Sequence, residues 1–130
     1  ALKRYGKGKV LWSALPIESI EKPYQYGKVF LSLLREFLDL EQTISSTAPQ
    51  DVEIVAFKDE GEITVSSVQL CESEAPRKVE MFDISVKTDK MPKRVLKLPN
   101  ETECKFKYEN GTVTLKIDDL NIFDMKKIIL

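Results

Sequence analysis

Apolar and polar residues alternate on both sides of the dipeptide Asn110–Gly111, and this stretch constrains the fold more than any other. Cysteine and aromatic residues take every second position in 104–108, and branched aliphatic residues do so in 113–117. An alternation with period two predicts strands that cover a core on one face only. Asn-Gly favours a two-residue turn, because both residues tolerate a positive φ. Residues 104–117 therefore predict an antiparallel hairpin.

The chain from about residue 50 onward repeats this pattern in short segments separated by turn signals. Besides the hairpin and a final strand in "MKKIIL", we expect strands at 52–57, 63–70, 79–86 and 94–98. The alternation slips by one residue at Ser66–Ser67, which predicts a β-bulge. About seven short strands with frequent turns are typical of a β-sandwich. Residues 50–130 are therefore predicted to form a C-terminal β-sandwich domain.

The first 45 residues follow a different pattern. Val10–Leu15 is a short apolar run that predicts a buried strand. A helix is expected from Pro23 to about Leu40, because apolar residues recur there at spacings of three and four. They are Tyr26, Val29, Phe30, Leu33, Leu34, Phe37 and Leu38. One strand and one helix do not make a domain, so residues 1–45 are expected to complete a larger structure. The polar residues 41–50 are interpreted as a linker.

The expected fold class is thus mainly β with one helix (α+β), a sandwich of about seven strands preceded by a strand–helix unit. The net charge of −1 gives no general attraction for nucleic acid or for an anionic membrane, and neither is expected as a partner. Cys71 and Cys104 show no metal-ligand spacing. We interpret them as reduced thiols of a cytoplasmic chain, although their spacing also allows a disulfide.

Catalytic chemistry finds little support in the sequence. The chain has no histidine, which removes the commonest general base and metal ligand. Gly6 and Gly8 precede a strand, whereas a phosphate-binding loop needs its glycines between a strand and a helix. We therefore expect no catalytic residue, no metal site and no cofactor in this chain, and we assign no substrate-binding residue.

Oxygen-bearing side chains in polar segments are candidates for an acid–base pair or for calcium ligands. A glycosidase requires two carboxyl groups held together in a cleft, and an EF-hand requires a spacing that is absent here. The solvated-turn interpretation is favoured for all of them. The candidates for the acid–base pair are Asp118, Asp119 and Asp124, or Glu72 and Glu74. The candidates for calcium ligands are Asp118, Asp119, Asn121 and Asp124.

Most of the aromatic residues and lysines fit ordinary structural positions. Trp12 and Tyr26 are predicted to be packed in the core, and Tyr5 and Tyr24 to be exposed. Inward positions are expected for Phe57, Phe82, Phe106, Tyr108 and Phe123, so no aromatic platform for sugar binding is predicted. Lysines on outer strand faces discourage aggregation at sheet edges, and this is our interpretation of Lys105, Lys107, Lys116, Lys126 and Lys127.

Two segments carry a resemblance to known proteins. "YGKGKVLWSALPIE" followed by "YQYGKVFLSLLREFL" resembles the closing strand and helix of an amidotransferase-like α/β domain. The ending "RVLKLPNETECKFKYENGTVTLKIDDLNIFDMKKIIL" resembles the C-terminal region of multidomain bacterial glycoside hydrolases. The type resembled is the β-galactosidase with a (β/α)8 barrel, a trimerisation domain and a small C-terminal β-domain.

The resemblance implies a noncatalytic accessory domain, because the catalytic glutamates of that family lie on the barrel. Such a domain would support assembly or border the substrate site, and its partner would be the rest of the parent hydrolase chain. The alternative is an independent carbohydrate- or protein-binding β-sandwich module. Self-association is also expected through the apolar helix face formed by Tyr26, Val29, Phe30, Leu33, Leu34 and Phe37.

Overall fold

The computed structural model describes residues 1–14, 23–38, 41–70 and 78–130. The chain divides into two compact units, Ala1–Gln42 and Thr43–Leu130. The elements run in the order β1 (Leu2–Tyr5), β2 (Gly8–Leu11), α1 (Pro23–Leu38), β3 (Ile44–Ser46), β4 (Val52–Asp59), β5 (Glu62–Gln69), β6 (Phe82–Lys87), β7 (Arg94–Leu98), β8 (Thr102–Cys104), β9 (Phe106–Glu109), β10 (Thr112–Ile117) and β11 (Phe123–Ile129).

The first unit contains an antiparallel hairpin and one helix. β1 pairs with β2, and Gly6 adopts the positive φ that the tight turn between them requires. Helix α1 contacts β2 and begins at Pro23, as predicted from the missing N–H of proline. The prediction of a buried strand at Val10–Leu15 is wrong. The strand ends at Leu11 and, among the described residues, pairs with β1 alone. A two-stranded ribbon leaves much of its surface to solvent, and Trp12 just beyond it is 63% exposed. Leu15 lies outside the described residues.

The second unit is a sandwich of two antiparallel sheets, and this confirms the predicted fold class. One sheet has the strand order β3-β6-β10-β9, and the other has the order β4-β5-β11-β7-β8. The linker interpretation of residues 41–50 is wrong at Ile44–Ser46. This segment is strand β3, which pairs with β6 because Ile44 packs against the core.

The core lies between the two sheets. Alternation with period two turns one face of every strand inward, and these side chains exclude water together. The buried residues of the core are Ile63, Val65, Val79, Phe82, Ile84, Val86, Val95, Val113, Leu115, Ile117, Leu120 and Ile128. The hairpin around Asn110–Gly111 is confirmed, since β9 pairs with β10 and both turn residues have a positive φ.

Two details of the strands differ from the prediction and position the surfaces discussed below. No bulge interrupts β5 at Ser66–Ser67. The pairing with β4 continues through these residues, and Val68 consequently faces outward. Residues 104–108 do not form one strand either. β8 ends at Cys104 in the five-stranded sheet, and the chain crosses at Lys105 to begin β9 in the four-stranded sheet.

Candidate functional site: a charged cavity between the sheets

A cavity of about 480 Å³ opens where the chain crosses from one sheet to the other. Strands β7, β8, β10 and β11 and the segments that follow β8 and β10 contribute its lining. Four lysines and three aspartates dominate the lining, together with one cysteine. The residues are Lys97, Cys104, Lys105, Lys116, Asp118, Asp119, Asp124 and Lys126.

Asp124 and Lys126 are buried although both are charged. They occupy inward positions of β11, four and two residues before the core residue Ile128. The exposed fraction of the side chain is 4% for Asp124 and 8% for Lys126. Burying an ion is costly unless a partner of opposite charge lies close to it. The pair meets this condition, because Lys126 Nζ donates to Asp124 Oδ1 at 2.9 Å.

A second lysine completes the arrangement around the carboxylate. Lys97 on β7 lies opposite Lys126 in the register, and its Nζ lies 2.8 Å from Asp124 Oδ2. Each oxygen of Asp124 therefore faces one ammonium group. The Lys97 side chain reaches the cavity from the solvent side and stays largely exposed, whereas Lys126 is enclosed.

These contacts shift the pKa values of Asp124 and Lys97. Burial alone would raise the pKa of the Asp124 carboxyl, but the hydrogen bonds from Lys97 and Lys126 and their positive charges outweigh it and hold that pKa below its usual value. The hydrogen bond to Asp124 and the attraction of its charge raise the pKa of Lys97, against a smaller effect of burial. Both shifts in pKa favour the ionised forms of Asp124 and Lys97.

The structure brings together three of the carboxylates that the sequence suggested, Asp118, Asp119 and Asp124. They do not form a pair of free acids, because Asp124 is bound to two lysines and Asp119 forms an ion pair with Lys78 at 3.2 Å. Within the described ranges, no three His, Cys, Asp or Glu residues are grouped so that they could hold a metal ion. Glu72 and Glu74 lie outside the described residues.

Sequence patterns alone did not assign Lys97 or Lys126 to this site. The interpretation of Lys126 as an outer-face lysine is wrong, because the register turns it inward next to Asp124. The signal was present in "FDMKKII", where inward positions carry Asp, Lys and Ile in turn. Cys104 lines the same cavity as a free thiol. Cys71, with which its spacing also allows a disulfide, lies outside the described residues.

The aromatic residues divide between the core and the surface. Phe82 is buried, and Phe106 and Tyr108 pack against the core, as expected. The inward assignment of Phe57 and Phe123 is wrong, because these side chains are 66% and 53% exposed. Their strands pair so that both rings lie on the outer face of the five-stranded sheet. Tyr5 is exposed as predicted, whereas the side chains of Tyr24 and Tyr26 lie outside the described part of the chain.

Comparisons with known proteins give a likeness of fold. No protein-family model and no curated protein matches the chain. Among solved structures, alpha-L-fucosidase isoenzyme 2 from Paenibacillus thiaminolyticus is similar, with a TM-score of 0.69 and 17% sequence identity. The match covers 86% of this chain but 19% of the fucosidase chain. The chain therefore resembles a small part of a glycoside hydrolase, and the narrower resemblance to a β-galactosidase receives no support.

One finding bears on membranes. Among the described residues, no helix combines the length and the apolar character that crossing a bilayer requires.

The buried pair generates a prediction for stability. Replacing Asp124→Leu leaves the Lys126 ammonium enclosed without its carboxylate, and we expect unfolding to become easier by about 3–5 kcal/mol. The double variant Asp124→Leu with Lys126→Met should recover most of this loss, because no buried charge remains. Urea denaturation measures both. Asp119→Leu is the control, since its exposed pair with Lys78 should contribute less than about 1 kcal/mol. Equal effects of Asp124→Leu and Asp119→Leu would contradict the prediction.

The lowered pKa of Asp124 generates a second prediction. The unfolded chain takes up a proton at this carboxyl near its ordinary pKa of about 3.9, before the folded chain does. The stabilisation by Asp124 is therefore fully present above about pH 4 and is lost as the pH falls through the lower folded value. We expect the free energy of unfolding to fall more steeply between about pH 4 and pH 2 in the natural chain than in Asp124→Asn. Parallel curves for the two proteins would show that another group dominates.

Proposed function

We propose that this chain is a noncatalytic accessory domain of a glycoside hydrolase, acting by supporting the assembly of the enzyme or by bordering its substrate site. The observation that carries the proposal is the fold match, in which nearly the whole chain corresponds to a minor part of a glycosidase. A domain that makes up so small a share of an enzyme chain is accessory to the rest of that chain. The proposal names glycoside hydrolases in general, because the sequence resembles a β-galactosidase type whereas the similar structure is an alpha-L-fucosidase.

The character of the charged cavity agrees with an accessory role. Its most deeply buried carboxylate, Asp124, accepts hydrogen bonds from two lysines and has a lowered pKa. A general acid for glycosidic cleavage needs the opposite, a carboxyl whose pKa is raised so that it carries a proton near neutral pH. The arrangement around Asp124 therefore serves the closure of the sandwich better than proton transfer.

The mass of the native polypeptide tests this function. An antibody raised against the purified chain should detect, in a lysate of the source cells, a band several times heavier than 14.9 kDa. Prior incubation of the antibody with the purified chain should abolish this band, which controls for its specificity. A specific band near 14.9 kDa would contradict the proposal. Hydrolysis of aryl glycosides by the purified chain would contradict its noncatalytic part.

We further propose that the helix face defined above mediates self-association of the chain. Val29 lies on this face and is exposed, while Phe30, Leu33, Leu34 and Phe37 are half-buried. An apolar stripe at this spacing is suited to packing against a second helix.

Sedimentation velocity of the purified chain tests the helix face. Val29→Asp should shift the chain toward the monomer, because it places a charge within the apolar stripe. Lys28→Asp is the matched control on the polar side of the same helix and should leave the distribution unchanged. Identical sedimentation of the natural chain and of Val29→Asp would contradict association through this face.

A further inference from the structure

The outer faces of the two sheets differ in chemical character. An antiparallel sheet packed on one side normally presents polar residues to water on the other side. The four-stranded sheet follows this rule, with outward Ser45, Asp83, Ser85, Lys87, Lys107, Glu109, Thr112, Thr114 and Lys116. The five-stranded sheet breaks it. Eight of its outward positions are apolar, namely Val55, Phe57, Val68, Leu96, Leu98, Phe123, Met125 and Ile129. We call these eight residues the apolar outer face.

The register makes this face continuous. Val55, Ser66, Met125 and Leu98 lie side by side in one row across four strands. In the next row, Val68 lies beside Phe123. A row of this kind brings side chains of neighbouring strands about 5 Å apart, so the apolar residues form one patch.

Of these eight residues, Phe57 and Phe123 are exposed, Leu96 is buried, and the other five are half-buried. Glu53 and Arg94 lie at the edge of this face. Lys127 lies within it, between Thr64 and Leu96 in the register, and its Nζ is paired with Glu62 Oε1 at 3.2 Å. Apolar side chains bordered by charged ones are common on surfaces that another protein surface covers. Contiguous exposed apolar patches of this kind mark interaction sites in soluble proteins.

The size of the face indicates which partner covers it. The four strands that carry this face span about 19 Å at the usual spacing, and their mean length gives about 24 Å in the other direction. Such a face buries about 500 Å² on each side of a contact, or about 1,000 Å² in total. This falls within the range of contacts between domains of one chain, about 600–1,500 Å². It falls below the roughly 1,200–2,000 Å² of stable complexes between free proteins.

We infer that the apolar outer face is the surface by which this domain docks on another folded domain of the same polypeptide. The inference rests on the proposed function, since the similar fucosidase chain has about four-fifths of its length outside the matched part. A covalent link raises the effective concentration of the partner surface, so a contact too small for free association suffices within one chain. The polar outer face of the four-stranded sheet then remains in water.

Hydroxyl-radical footprinting tests the inference on the native polypeptide, isolated with the antibody described above, and on the purified 130-residue chain in parallel. Oxidation of Phe57 and Phe123 should slow severalfold in the native polypeptide relative to the chain alone. Met81 and Met91 are the internal controls, because both are exposed and neither belongs to the apolar outer face. Their oxidation should be similar in the two samples.

A variant pair sharpens the test. In the native polypeptide, Phe123→Asp should restore rapid oxidation of Phe57, because a charge in the patch undocks the domain. Lys107→Asp changes a residue on the opposite, polar face and should leave Phe57 protected. The fold of each variant is checked by urea denaturation of the isolated chain, where an outward substitution should leave the core intact.

The outcomes separate this inference from the proposed function. A long native polypeptide in which Phe57 and Phe123 react as fast as in the chain alone overturns the docking inference and leaves the proposed function standing. A native polypeptide of the size of this chain overturns both. Protection of the two rings that appears in the purified chain as its concentration rises shows a second copy on the face, and it overturns the inference in favour of self-association.

Discussion

The sandwich depends on the mutual burial of the inner faces of its two sheets. Each sheet is apolar on its inner side, and in the described part of this unit the other sheet is the layer that covers it. Val113 and Leu115 of one sheet and Val65 and Ile128 of the other are almost fully enclosed, and each such side chain stabilises the fold by about 1.5–3 kcal/mol relative to exposure. The chain passes between the sheets repeatedly, since β3 and β4, β5 and β6, and β8 and β9 lie in different sheets. The two layers therefore form together.

The apolar layer ends at the charged cluster, and this boundary shapes the rest of the site. Inward positions of β11 change from Ile128 to Lys126 and Asp124 toward the cavity. A charge at such a position requires a partner, and Asp124 has one for each oxygen. A buried ion pair contributes little net stability compared with apolar packing, but removal of one partner is costly. The cluster thus allows a charged cavity to lie at the end of the core. It also restricts which substitutions are compatible with folding at this end.

Local patterns account for the parts of the fold that were predicted. The Asn110–Gly111 hairpin follows from two residues that adopt a positive φ and from the alternation beside them. The helix follows from the spacing of its apolar residues and from Pro23. Local patterns failed where the chemical character of a residue did not match the face on which it lies. Inward positions were expected for Phe57 and Phe123, and an outward position for Lys126, and the structure has each of them on the other face. The pairing register overrides both tendencies, because one residue of shift turns every side chain of a strand to the other face.

The sequence by itself determined the class of fold, the helix and the central hairpin, because each rests on interactions between residues close together in the chain. Only the tertiary structure decided that Asp118, Asp119 and Asp124 line one cavity with lysines of three other strands or segments, and that one outer face is apolar. Both features depend on which strands become neighbours and in which register, and these contacts join residues far apart in the chain, as between Glu62 of β5 and Ile129 of β11. Apolar residues such as Val68 and Phe123 carry no local sign of the layer that they face, so the assembled sheet alone assigns them to the surface.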